Sequence, residues 1–266
     1  MNKTQHPNRI LSQGPEENRA FWSDVGEGYK LLCRMTDDAD WAAILETIAT
    51  QINASVPSAR ETINILDLGA GTGIPAAELS NILLSRFSRK SMWSLVEPDA
   101  GARQCCEYSF ASIPGIPGSA GVYANLNEVV IRDHDVALLM HSTYEIANLK
   151  EAIGNLRGVL REDAPIVCLV LPRSSQFFAV GGRFHGCAED VLGALAATGY
   201  QANTMKLTSR IHVLSEVLNN VTAVGALKSF ANCGHMNNEE FARRVRTHWP
   251  RNVDFDDQLV VAIPGG

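Results

Sequence analysis

The chain has 266 residues, 45% of them hydrophobic, with 23 Lys and Arg against 29 Asp and Glu for a net charge of -6. That length suits one large domain that buries its own core, and the acidic balance argues against affinity for nucleic-acid phosphates. Apolar stretches such as Val129–Ile131 and Val136–Met140 break off far short of the ~20 residues of a membrane span, so no membrane partner is expected.

Residues 1–19 are polar and hold no secretory signal, which makes a cytoplasmic protein the expectation. Residues 1–60 are predicted to form a helical cap or lid. Trp22 and Tyr29 lie in it as candidate substrate contacts, and Trp41–Ile52 carries apolar residues at helical spacing. Residues 61–266 then read as one compact α/β unit. Predicted strands are Ile63–Leu68, Met92–Val96, Val122–Ala124, Val136–Met140, Ile166–Leu171, Met205–Leu214 and Leu259–Ile263. Between and after them come helices at Ala76–Phe87, Ala100–Phe110, Leu149–Leu160, Ala188–Ala197, Val221–Phe230 and Glu239–His248. The alternation implies a Rossmann-like, seven-stranded, mostly parallel sheet with helices on both faces.

The first strand runs into Gly69-Ala70-Gly71-Thr72-Gly73. Glycines there let the backbone turn sharply and approach a ligand, while the next helix offers free amides. The second strand ends in Glu97-Pro98-Asp99, an acid placed to grip a ribose diol. The loop is GxGxG. It lacks both the glycine spacing that admits a dinucleotide pyrophosphate and the Lys-Ser/Thr of a triphosphate loop, which leaves adenosine without phosphates. The six cysteines form no C-x-x-C pair and the seven histidines are scattered, so neither a metal nor a disulfide framework is expected.

With these motifs the sequence resembles the class I S-adenosylmethionine-dependent methyltransferases, over roughly 63–171 and onward to 263. Ile65–Gly73 is similar to that family's first motif and Val96-Glu97-Pro98 to its ribose-binding second. The resemblance implies S-adenosylmethionine as cofactor. Gly69, Ala70, Gly71 and Gly73 would lie under its methionine part, with Asp67 near the amino group, Glu97 and Pro98 at the ribose and Asn125 or Asn127 at the adenine edge.

A narrower resemblance, to the histamine N-methyltransferase type of small-molecule methyltransferases, rests on Val96-Glu97-Pro98, Asp135–Ile146 and Pro172–Phe177. It implies that Met140 touches the cofactor, that His141 and Tyr144 face the transfer site as catalytic candidates, and that Phe177 walls the acceptor. The acid that would hold an amine from the cap is matched by Asp37, Asp38 or Asp40, with Asp38 taken as the candidate substrate contact, and Asp257, a further candidate, falls where that type has an amide. The chain departs from that type at His141 and Glu145, so histamine itself is not the expected substrate.

Methyl transfer chiefly requires two reacting atoms held ~3 Å apart in line, which positioning can supply. His141 adds a group able to remove a proton near neutral pH. No Asn/Asp-Pro-Pro-Tyr/Phe segment or Pro-Cys nucleophile is present, which disfavours nucleic-acid and protein acceptors. The expected activity is methylation of a small molecule, at an amine or heteroaromatic nitrogen ahead of a carbon or oxygen of an indole- or phenol-type secondary metabolite. The rivals are a non-catalytic S-adenosylmethionine-binding subunit and an NAD-dependent oxidoreductase. Sequence leaves monomer against homo-oligomer open.

Overall fold

The computed structural model describes residues 35–111, 121–180, 185–212, 215–230, 233, 236–249 and 252–265. Within them, β1 (Thr62–Leu68), β2 (Lys90–Val96), β3 (Gly121–Tyr123), β4 (Val136–Met140), β5 (Ile166–Val170), β6 (Tyr200–His212) and β7 (Asn252–Pro264) form one sheet in the order β3-β2-β1-β4-β5-β7-β6. Strands β1 to β5 are parallel, and β7 runs antiparallel to both β5 and β6. The chain leaves β1 toward β2 and β3 and later returns to β1's other side as β4. Between the C-terminal ends of β1 and β4 lies the switch point where sheets of this kind open a binding crevice.

Alternation along β1 divides its side chains between two cores. Ile63 and Ile65 face α1 (Asp38–Ser55) and α2 (Ile74–Phe87), whose Ile44, Ile48, Ile52, Leu79 and Leu83 are buried with them. Leu66 faces the opposite way, to Ile153 and Leu156 of α4 (Leu149–Leu156) and Val191 and Leu195 of α6 (Ala188–Ala197). Burying one such aliphatic side chain stabilises the fold by about 1.5–3 kcal/mol. The described part of the expected cap is therefore a layer of the first core. Trp22 and Tyr29 lie outside the described residues. Helix α3 (Ala100–Ala111) completes this face and delivers the buried Cys106.

A third core was not anticipated. It gathers Leu171, Phe177 and Val180 with Ile211, Val217, Leu218, Val224, Leu227, Phe241, Val245, Trp249 and Phe255. These residues come from α5 (Gln176–Ala179), α7 (Ser215–Asn219), α8 (Val221–Phe230), α9 (Asn238–His248) and the outer ends of β6 and β7. The last strand begins at Asn252, not Leu259, and β6 begins at Tyr200, not Met205. Residues 252–257 of β7 pair with β6 alone, beyond the register that β7 shares with β5. This two-stranded arm projects past the C-terminal edge of β5, and the third core is built on it. Apolar runs missed the arm because its outward residues are charged: Lys206 pairs with Asp256 at 2.8 Å and Arg210 with Asp254 at 3.2 Å. Helix α4 likewise stops at Leu156 rather than Leu160, and the chain turns there to bring Val159 and Leu160 beside His134.

His134 sits at that turn, 1% exposed, with Nδ1 2.9 Å from the Val159 carbonyl and Nε2 2.9 Å from Ser94 Oγ. A carbonyl only accepts, so Nδ1 carries the proton and Nε2 receives the Ser94 hydroxyl. Burial holds this imidazole below its ordinary pKa. Between that depressed value and 6.5 the unfolded chain binds the extra proton, so stability present above 6.5 is lost as pH falls through the window. Thermal unfolding should therefore decline from about pH 7.5 to about 5 more steeply in the wild type than in His134→Gln; equal declines would contradict this.

Candidate functional site

The glycine loop leaves β1 at the switch point and is braced from three sides. Gly69 and Ala70 donate backbone N–H bonds to the Val96 carbonyl at 2.8 and 3.1 Å, tying the loop to the tip of β2. Ser142, just past β4, donates from Oγ to the Leu68 carbonyl at 2.5 Å. Beneath, Cys106 Sγ donates to the Gly71 carbonyl at 3.0 Å. Gly69 has φ +82°, and a Cβ there would stand 2.3 Å from Ser142 Cβ, so no side chain fits between β1 and β4. Gly71, at φ +57°, meets nothing within 4 Å. Its face is open cradle. Gly73 then begins α2, whose first turn has no side-chain cap and leaves free amides at the loop.

Two buried carboxylates flank this cradle. Glu97, 5% exposed, accepts the Gly71 N–H on Oε2 and the Asp99 N–H on Oε1, each at 2.9 Å. Burial raises its pKa, against the lowering pull of those two amides. Asp67, 2% exposed, has no hydrogen-bond partner at Oδ1. Burial first, and the charge of Glu97 second, push its pKa up to about 8. A lone buried carboxylate is costly unless a cation or donor compensates it. The loop thus offers open backbone and an unmet need for positive charge, which fits an adenosine bearing a cationic amino acid.

A second cluster forms at the ends of β4, β5 and β7. His141 adopts φ +51° just after β4 and donates its N–H to the Leu169 carbonyl at 2.8 Å. Its Nδ1 lies 3.3 Å from Tyr144 Oη and its Nε2 3.6 Å from Asp257 Oδ1. Tyr144 Oη accepts the Leu171 N–H at 2.6 Å, and burial keeps the hydroxyl protonated well above its ordinary range. Asp257 is 3% exposed with Oδ1 lacking a hydrogen bond; burial raises its pKa, opposed by His141. Thr143 Oγ1 donates to the Gly186 carbonyl at 2.7 Å and pins the turn that carries Tyr144.

The structure thus brings Asp67, Gly69, Ala70, Gly71, Gly73 and Glu97 together in the loop cluster, and His141, Tyr144 and Asp257 in the other. Met140 ends β4 directly before His141. Pro98 is exposed beside Glu97. Asn125 is exposed and spends its side chain capping a short turn, accepting from Asn127 N–H and donating to Glu128 Oε1. Asp38 is exposed in the first turn of α1, while its neighbour Asp37 caps that helix. Phe177 lies inside the third core, stacked on Trp249 at 5.5 Å and edge-on to Phe255 at 5.7 Å; the half-buried ring next to Tyr144 is Phe178, 6.2 Å away. Sequence reasoning did not find Ser142 or Cys106, whose partners lie far away along the chain and leave no local pattern. Among the described residues no group of His, Cys, Asp and Glu is arranged to hold a metal, and no helix is long and apolar enough to cross a membrane.

No family model and no curated protein matches the sequence. Solved structures do share its fold. The YcgJ protein from Bacillus subtilis is 12% identical, covering 82% of this chain and 98% of its own, with a TM-score of 0.57. The cyclase SpnF is 14% identical over 83% of this chain and 82% of its own, at 0.56. Magnesium protoporphyrin IX methyltransferase from Synechocystis PCC 6803, crystallised with bound SAM, is 9% identical over 100% of both chains, at 0.55. The chain therefore has the seven-stranded, Rossmann-like methyltransferase fold. At such identities the likeness speaks for the fold, and function has to be argued from the site.

The unpartnered Asp67 has a measurable consequence. Between pH 3.8 and about 8 the folded chain holds a proton at this carboxyl that the unfolded chain releases, so each step upward in pH costs stability until the window closes. Without ligand, Asp67→Asn should melt close to the wild type near pH ~4 and above it near pH ~8.5. Parallel curves over that range would show that Asp67 is not strained by its burial.

Proposed function

We propose that the protein transfers a methyl group from S-adenosylmethionine to a small molecule, with an amine or heteroaromatic nitrogen as acceptor. The observation that carries this reading is Asp67 Oδ1, buried and unpartnered at the open glycine cradle. A pyrophosphate would add negative charge beside two carboxylates, whereas the amino group of S-adenosylmethionine would supply the missing cation. The bound SAM of the Synechocystis methyltransferase supports the choice.

When bound, S-adenosylmethionine supplies an electrophilic methyl on a cationic sulfur. Asp67 would hold the amino group, the Gly69–Gly73 backbone would lie under the methionine part, and Glu97 would accept the ribose hydroxyls with the lone pairs its two amides leave free. Met140 would border the cofactor. His141 and Tyr144 would face the acceptor, and the faces of Tyr144 and Phe178 suit a group with cationic character. Enclosure by the third core would exclude water from the crevice. Positioning of acceptor against methyl then supplies most of the rate.

Calorimetric titration with S-adenosylmethionine, S-adenosylhomocysteine and NADH tests the cofactor. Micromolar binding of the first two and none of the third is expected, and Glu97→Ala should weaken it by about 1.5–3 kcal/mol. Binding of NADH alone would overturn the proposal. Screening amines, indoles and phenols with the bound cofactor then decides the acceptor atom.

A further inference from the structure

We infer that the outer edge of β6 pairs with β6 of a second copy of this chain, antiparallel and centred on Met205, so that two sheets join into one. The inference concerns assembly and is independent of the proposed methyl transfer.

Strand β6 closes the sheet on one side and pairs with β7 from Tyr200 to His212 in one unbroken register. Its other edge is held at one end. Arg210 donates its N–H to Asp40 Oδ2 at 2.8 Å and accepts the Asp37 N–H on its carbonyl at 2.9 Å, and Thr36 bridges to Ile211 beside it. The backbone of Arg210 therefore points away from β7. Along an unbroken antiparallel strand that direction recurs at every second residue, so Ala202, Thr204, Lys206 and Thr208 also turn their N–H and C=O groups outward. Among the described residues no backbone bond meets these groups. An open edge of this kind is a template for another strand.

The open stretch, residues 201–209, is its own complement. Its midpoint is Met205, 44% exposed although the residue opposite it on β7, Leu259, is fully buried. A two-fold axis at Met205 sets Thr204 against the partner's Lys206 and Ala202 against the partner's Thr208, so outward groups meet outward groups in hydrogen-bonded pairs. Met205 then faces its own copy in the closely spaced pair that lacks hydrogen bonds, and the two carry the apolar row from Leu259 across the junction. Lys206 is the one charged residue in the stretch. A lysine often guards an edge, but Asp256 holds this one at 2.8 Å, and across the axis it meets a threonine rather than a like charge. An axis at Lys206 would oppose two lysines, and an axis nearer either end would leave part of the stretch unpaired. The pairing also braces the arm, because Leu207, opposite Asp257 in the register of β7, gains Asn203 of the partner subunit as its neighbour.

Sedimentation velocity of the full chain across the micromolar range tests the pairing without ligand or activity. The wild type should sediment as a dimer. Thr204→Glu should tighten it about three- to tenfold, because the new carboxylate faces the partner's Lys206 at both symmetric positions, and Thr204→Lys should loosen it by a similar factor. Met205→Glu, which opposes two carboxylates at the axis, should leave a monomer. Thr204 is exposed, so its variants report on the register even where Met205→Glu fails to fold. A wild type that stays monomeric throughout would overturn the inference and leave the edge to a strand of another protein. An assembly indifferent to both Thr204 variants would overturn it as well, placing the contact between copies on another surface.

Discussion

The site is organised around two carboxyl groups, Asp67 and Glu97, that the fold buries at the edge of the glycine loop. Asp67 stands at the tip of β1 with one carboxylate oxygen unpartnered, and Glu97 adds a second acid at the tip of β2. Charges in such surroundings either take up a proton or wait for a cation. The free protein takes the first course, as the raised pKa of Asp67 shows. The glycine loop between these acids is held by Val96, Ser142 and Cys106 from three elements. The loop is therefore held in place without any ligand, as a preorganised site would be.

The sheet order places the two clusters next to each other. Because β4 returns beside β1, the residues following β4 press on the loop that follows β1: Ser142 bonds Leu68, and His141 sits one residue before it. The antiparallel β7 then brings Asp257 to the same edge, level with the end of β5. The glycine loop and the His141, Tyr144 and Asp257 cluster are consequences of one topology. The arm of β6 and β7 continues past this edge and carries the third core, which gathers residues of the C-terminal third of the chain with Met35, Leu171 and Phe177.

Much of this was legible in the sequence because the physics is local. Strands β1 to β5 are short apolar runs, since both faces of a covered parallel sheet are buried, and the loop and Glu97 follow directly on strand ends. The C-terminal cap was not legible, because the outer arm alternates Asp254 and Asp256 with Phe255 and Asp257 and has no apolar run to find. The narrower family resemblance implies Phe177 as an acceptor wall. Its ring instead fills the aromatic cluster with Trp249 and Phe255, and Phe178 takes the position beside Tyr144. His141 and Tyr144 share one turn and so could be paired from spacing, whereas their meeting with Asp257 depends on the strand register of β7.

The most direct measurement is the proton balance of S-adenosylmethionine binding, taken by calorimetry in buffers of differing ionisation enthalpy. Free Asp67 is protonated below about 8, and a complex that needs its carboxylate must release that proton. The account expects proton release approaching one near pH ~6.5, with affinity strengthening up to tenfold per pH unit toward about 8, and loss of both in Asp67→Asn. Binding without proton release, at an affinity indifferent to pH and to Asp67→Asn, would contradict it.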